Sequence, residues 1–122
     1  MTPQKFSWQK RLKSFAFAFN GVKIFFHREH NAWIHAAAAA VAVAASFLLH
    51  ISPAEWIAVL LAIALVWIAE LLNTALEKLL DHLSPAQHPR VKEIKDMAAG
   101  AVLIAALFAV IIASIIFIPK II

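Results

Sequence analysis

The stretch WIAVLLAIALVWIAELLNTALEKLLD, residues 56–81, opens with fourteen apolar residues and then carries Glu70, Asn73, Glu77 and Asp81. About 20 apolar residues cross the hydrocarbon core of a bilayer. Residues 55–72 therefore read as a membrane span, with Trp56 and Trp67 near its two ends as interfacial anchors. The helical pattern does not stop there but runs on to Asp81. At about 100° per residue, Asn73 lies near −60° from Glu70, Glu77 near −20° and Asp81 near +20°. The four polar groups thus share a face of about 80° over roughly 16 Å of axis. Thr74 sits beside them, and the opposite face, through Leu71, Ala75 and Leu79, is apolar. A charge at membrane depth costs a few kcal/mol unless it faces protein or a water-filled cavity. Glu70, after so long an apolar run, therefore reads as functional, whereas Asp81 taken alone reads equally well as a solvated helix end.

The rest of the chain agrees with a membrane setting. It has 122 residues, 63% of them hydrophobic, against about 45–50% in soluble domains. Its length suits one domain, 1–122, and a single copy of that size encloses a polar site poorly, which points to an oligomer. There is no cysteine, so disulfides and thiolate metal sites are excluded. The formal charge is +4, and six of the eleven Lys and Arg residues fall at or before Arg28. No apolar core followed by a small-residue cleavage site marks the first 28 residues as a signal peptide.

Residues 1–30 are basic and rich in phenylalanine. Leu12, Phe15, Phe19, Val22 and Phe26 recur at spacings of three and four, with Lys10, Lys13 and Lys23 off that stripe. Such a helix lies in a membrane interface. Packing on soluble protein is the plainer alternative, and a nucleic-acid arm would leave the phenylalanine stripe exposed, so no nucleic-acid partner is expected. Residues 33–49 form the first span, whose alanine run allows close helix approach. HISPAE, residues 50–55, is a turn with Ser52 as N-cap and Pro53 in the first turn of the next helix. The second membrane helix runs over 55–81, and residues 84–96 read as a polar loop with two prolines. Residues 97–118 form the third span. Basic residues flank the amino-terminal arm and the 78–95 region, while the Ser52 turn has none. The positive-inside rule then puts the amino terminus, the end of the 55–81 helix and the long loop in the cytoplasm.

Of the other acids, Glu29 and Asp96 fall at the same membrane boundary, and Glu55 in the outer turn reads as solvated. Spaced carboxylates with an amide and no thiol suit a hard cation such as Mg²⁺, which pairs one or two carboxylates with substrate phosphates. Lys95 is placed to meet phosphate charge, and a spare carboxylate to take a proton from an alcohol. No GxxxxGK[ST] or GxGxxG motif is present, and Gly21 and Gly100 are the two glycines. From composition and spacing alone the reading stops at a small membrane enzyme or an ion-linked transporter. A transporter should carry polar groups through the depth of its spans, and those at 33–49 and 97–118 hold little beyond Ser46 and Ser114. A purely structural assembly subunit leaves the acid stripe unexplained. Three neighbouring histidines, His27, His30 and His35, read as interfacial or hydrogen-bonded rather than as a metal cluster.

ELLNTALEKLLD, residues 70–81, fits the pattern E-x-x-N-[ST]-A-[LI]-E-x-x-[VIL]-D and is followed by SPAQHP and KDMAAGAVLIAA. With FAFNGVKIFFHREHNAWIH upstream, these motifs resemble the prokaryotic diacylglycerol kinase and undecaprenol kinase family over about residues 8–118. The resemblance implies an all-α membrane kinase: an amphipathic surface helix and three transmembrane helices per subunit, in a homotrimer of the bacterial inner membrane. It implies MgATP as co-substrate and a lipid alcohol as acceptor. Matched residue by residue, Glu70 is the implied catalytic base, and Glu29 and Glu77 hold Mg²⁺ and ATP. Asn73 and Lys95 meet the transferred phosphate, Asp81, Asp96 and His88 the rest of the nucleotide, and Lys10 and Phe17 lie near it. Trp56 and Ala99 border the lipid. His35 stands where the diacylglycerol-type branch usually carries an acid, which favours undecaprenol as acceptor, with diacylglycerol as the alternative.

Overall fold

The computed structural model describes residues 5–86 and 88–122. It is built of four helices: α1 (Trp8–Arg28), α2 (His30–Leu48), α3 (Pro53–Leu83) and α4 (Pro89–Ile121). There is no strand among the described residues, and α2, α3 and α4 are each long and apolar enough to cross a membrane. The protein is an all-α membrane protein. Residues 1–4 of the expected amphipathic arm, and Gln87 in the 84–96 stretch, lie outside the described residues.

α3 and α4 run antiparallel and form the main helix pair. At one end the Lys95 ammonium on α4 pairs with the Asp81 carboxylate on α3; at the other, Lys120 Nζ lies 3.4 Å from Glu55 Oε1. Glu55, expected to be solvated, is engaged twice over. Its carboxylate accepts from the Ser52 N–H at 2.9 Å, while Ser52 Oγ accepts from the Glu55 N–H at 3.2 Å. This reciprocal capping box satisfies two N–H groups that a helix start otherwise leaves unpaired. The preceding turn closes α2 with His50 in the left-handed region at φ 49. The Ile51 N–H bonds back to the Ser46 carbonyl and the His50 N–H to Phe47, which is the Schellman closure with histidine where glycine is usual. Ile51, Val59 and Ile116 are buried together just beyond it.

The expected 84–96 loop is largely helix. Pro89 occupies the first helical turn, where its missing N–H costs no hydrogen bond, and His88 Nδ1 accepts from the Arg90 N–H at 3.1 Å. The proline starts α4 instead of breaking it. Lys92, Lys95 and Asp96 are thereby fixed on a helix surface rather than on a loop.

α1 meets the bundle at its carboxyl end. Phe25 is buried, and the Phe26 ring packs against Trp33 of α2 and Trp67 of α3 at centroid distances of 5.5 and 5.2 Å. The Trp33 indole N–H donates to the Phe26 carbonyl at 2.9 Å. Leu12, Phe15 and Phe19 further up the helix remain exposed, the arrangement of a helix whose apolar stripe faces lipid. Leu60, Leu61 and Leu65 on α3 and Leu103, Ile104 and Leu107 on α4 are exposed in the same way.

Candidate active site

The acid ladder of α3 lies on one face of a continuous helix, and its exposure rises along the chain. Glu70 is 7% exposed. Asn73 and Glu77 are half-buried, and Asp81 is exposed. Asn73 Nδ2 donates to Glu77 Oε1 at 3.4 Å, one turn on, while Asn73 Oδ1 is buried without a partner among the described residues. A buried amide oxygen left unpaired forfeits about 1–3 kcal/mol of hydrogen bonding, a deficit that a bound polar group would remove.

Glu29 is the single residue between α1 and α2, with extended backbone at φ −115 and ψ 121. The aromatic contacts of Phe26 hold this joint against α3, and Lys78 Nζ reaches Glu29 Oε1 at 3.7 Å. Glu29 is thus brought beside the helix turn that carries Glu77. This contact had no signal in the local sequence, since 49 positions separate the two partners.

The implied nucleotide residues at the α3–α4 end also converge. Asp81, His88, Lys92 and Lys95 line a polar cleft of about 190 Å³ together with Ser84 and Val91. Asp96 joins through Lys92, whose Nζ is 2.6 Å from its carboxylate. Lys10 and Phe17 are exposed on α1. Ala99 is exposed on α4. Trp56 stands apart from Glu70, about 21 Å away along α3 at 1.5 Å per residue, and meets the Phe47 ring edge to face at 4.7 Å between centroids. Within this chain it could meet the far part of a long lipid chain, not its head group.

One contact was not foreseen. His35 Nε2 lies 2.8 Å from Glu70 Oε1. Sequence reasoning grouped His35 with His27 and His30, although a polar side chain at the head of an alanine run was the available signal for a partner to the deep acid. Below this pair, an apolar cavity of about 260 Å³ runs between α2, α3 and α4, walled by His35, Ala38, Ala39, Val66, Trp67 and Ala106 among others. His35 is thus shared between the Glu70 contact and the cavity wall, and the exposed Asp81 and Lys92 lie further toward the α3–α4 turn.

Residues 16–117 match the family described as prokaryotic diacylglycerol kinase. The chain belongs to the prokaryotic diacylglycerol kinase family. It is 41% identical over 108 residues to an undecaprenol kinase of Bacillus subtilis, covering 88% of each chain. It is 38% identical over 120 residues to a diacylglycerol kinase of Synechocystis, covering 95% of this chain and 69% of that one. Membership makes this a membrane lipid kinase, and a kinase requires a nucleotide co-substrate. The polar cleft and the apolar cavity lie at successive levels of α3.

Proposed function

We propose that this chain transfers the γ-phosphoryl group of ATP to undecaprenol, forming undecaprenyl phosphate, at the cytoplasmic face of the bacterial inner membrane. The observation that carries the reading is the single buried carboxylate among the described residues, Glu70, hydrogen-bonded to a histidine that walls an apolar cavity and followed along α3 by more exposed polar groups. The relative named undecaprenol kinase supports the polyprenol acceptor. Diacylglycerol is the second reading, favoured by the Synechocystis relative. The basic arm and the lysines around the α3–α4 turn support a cytoplasmic amino terminus. The uncovered apolar flanks of α3 and α4 support a homotrimer.

In this reading the Glu70 carboxylate accepts the proton of the lipid hydroxyl as its oxygen attacks the γ-phosphorus. A new O–P bond forms, the bond to the bridging oxygen breaks, and ADP leaves. Lys95 and Asn73 contact the transferred phosphate, and Asp81, Asp96 and His88 hold the remainder of the nucleotide, with Lys10 and Phe17 contributed from α1. Trp56 and Ala99 border the lipid. Protein groups in phosphoryl transfer mostly position reactants and stabilise charge, so a small set suffices.

Among the described residues no three His, Asp or Glu side chains group to hold a metal by themselves. Mg²⁺ does not require such a cage, since it keeps several waters and is bound through one or two carboxylates and substrate phosphates. Glu77, beside the unpartnered Asn73 oxygen, and Glu29, drawn to α3 by Lys78, are hard oxygen donors of that kind. They fit the ion and would hold it. When bound, Mg²⁺ supplies charge neutralisation on the phosphates.

The test is purified protein in detergent with labelled ATP and Mg²⁺, offered undecaprenol and diacylglycerol separately. Label should enter undecaprenol with the higher kcat/KM; label in neither lipid refutes the reading. Glu70→Gln should lower turnover by about 10²- to 10⁴-fold, the range for loss of a general base, with ATP binding retained. Loss of ATP binding in the same variant would remove the base assignment.

A further inference from the structure

Glu70 is 7% exposed, so its carboxylate depends on protein groups rather than bulk water for hydrogen bonds. Next to it, Ala38 and Ala39 of α2 and Val66 of α3 leave an open cavity instead of interdigitating. A glutamate has three rotatable side-chain bonds, and apolar neighbours do not distinguish its two carboxylate oxygens, whereas a hydrogen-bond donor does. Its one side-chain partner among the described residues is His35, on a different helix, at 2.8 Å. No Lys or Arg pairs with it among the described residues.

We infer that His35 is a positioning residue for the phosphoryl transfer: it pins Glu70 by Oε1 and so turns Oε2 toward the lipid hydroxyl. The inference rests on the reading of Glu70 as the base. With a proton on Nε2 the ring donates to Oε1 and leaves Oε2 to accept the proton of the alcohol. A single donor occupies one oxygen only. An arginine fork would engage both oxygens and leave none for the alcohol. His35 is also a wall of the apolar cavity, where it and the indole of Trp67 are the polar groups. A hydroxyl carried in on an apolar chain through that cavity therefore meets the His35–Glu70 pair first. His35 touches the base and need not touch phosphate or nucleotide, so its effect falls on the rate of the chemical step.

The test uses the full-length protein in detergent micelles with ATP, Mg²⁺ and undecaprenol, comparing His35→Leu, His35→Gln, Glu70→Gln and the Glu70→Gln/His35→Leu pair. His35→Leu should lower kcat by about 10²-fold, the scale of a small misplacement of a reacting group. The KM for ATP should stay within about twofold, the split expected when an interaction acts in the transition state alone. His35→Gln, whose amide N–H reaches close to the Nε2 position, should recover most of the lost kcat. The double variant should be no slower than Glu70→Gln, because the histidine acts through the glutamate. The inference is overturned if His35→Leu keeps its kcat, or if His35→Gln is as slow as His35→Leu while both keep the wild-type oligomer and thermal midpoint. It is equally overturned if only the lipid KM rises, which would make His35 a wall of the cavity and nothing more. Wild-type turnover in Glu70→Gln removes the base reading itself, and is distinct from failure of the His35 variants alone.

Discussion

Replacing Lys95 separates a structural ion pair from a catalytic lysine. Lys95 and Asp81 are in contact across the α3–α4 end, with side chains 35% and 65% exposed. An ion pair in that much water contributes about 0.2–1 kcal/mol to stability. A lysine bound to a transferring phosphate makes a charge-assisted hydrogen bond worth about 1.5–3 kcal/mol, or about ten- to 150-fold in rate at 1.4 kcal/mol per decade. Lys95→Met should therefore leave the thermal midpoint in detergent nearly unchanged while lowering kcat/KM for ATP by at least tenfold. The exchange Asp81→Lys/Lys95→Asp supplies the decisive arm. It rebuilds the ion pair with reversed polarity and should restore any lost stability, but it puts a carboxylate where phosphate charge arrives, so activity should stay low. If Lys95→Met retains activity within about twofold, or if the exchange restores turnover, the pair is a structural clip and the phosphate role of Lys95 is refuted.

Two further outcomes follow from the architecture. Ser52→Ala should lower stability by about 1 kcal/mol through loss of the capping box, read as a lower melting temperature in detergent. The specific activity of the folded fraction should not change, because the turn lies at the opposite end of α3 from Glu77. Phe26→Ala removes the aromatic contacts to Trp33 and Trp67, which tie α1 to α2 and α3 and are worth about 0.5–1.5 kcal/mol each beyond burial. It should release the end of α1, raise the KM for ATP by displacing Glu29, and open the 26–30 joint to limited proteolysis.

Much of the fold was legible without coordinates because its signals are local. An uninterrupted apolar run specifies a membrane helix because its side chains favour hydrocarbon over water and its backbone polar groups must be paired internally there, and the 3.6-residue repeat alone aligned Glu70, Glu77 and Asp81 on one face. Ser52 and Pro53 marked a helix start by chemistry confined to four residues. Where the reading fell short, it was again for a local reason. The two prolines of residues 84–96 suggest a loop, yet proline is as well suited to opening a helix as to ending one, and the His88 cap decides in favour of opening.

The contacts that turn aligned residues into a candidate site are of another kind. His35 and Glu70 are 35 positions apart, and Glu29 and Lys78 are 49 apart. No periodicity links residues at such separations; they meet because α1, α2 and α3 fold against one another through Phe26, Trp33 and Trp67. The sequence by itself determined which residues are polar, at what depth and on which helix face, since those follow from composition and the geometry of a single helix. Only the tertiary structure decided that the deepest acid has a histidine for a partner, that Glu29 meets Lys78, and that an apolar cavity opens beside that histidine. Those facts depend on how separate helices pack, and packing is a property of pairs of surfaces that no one segment encodes.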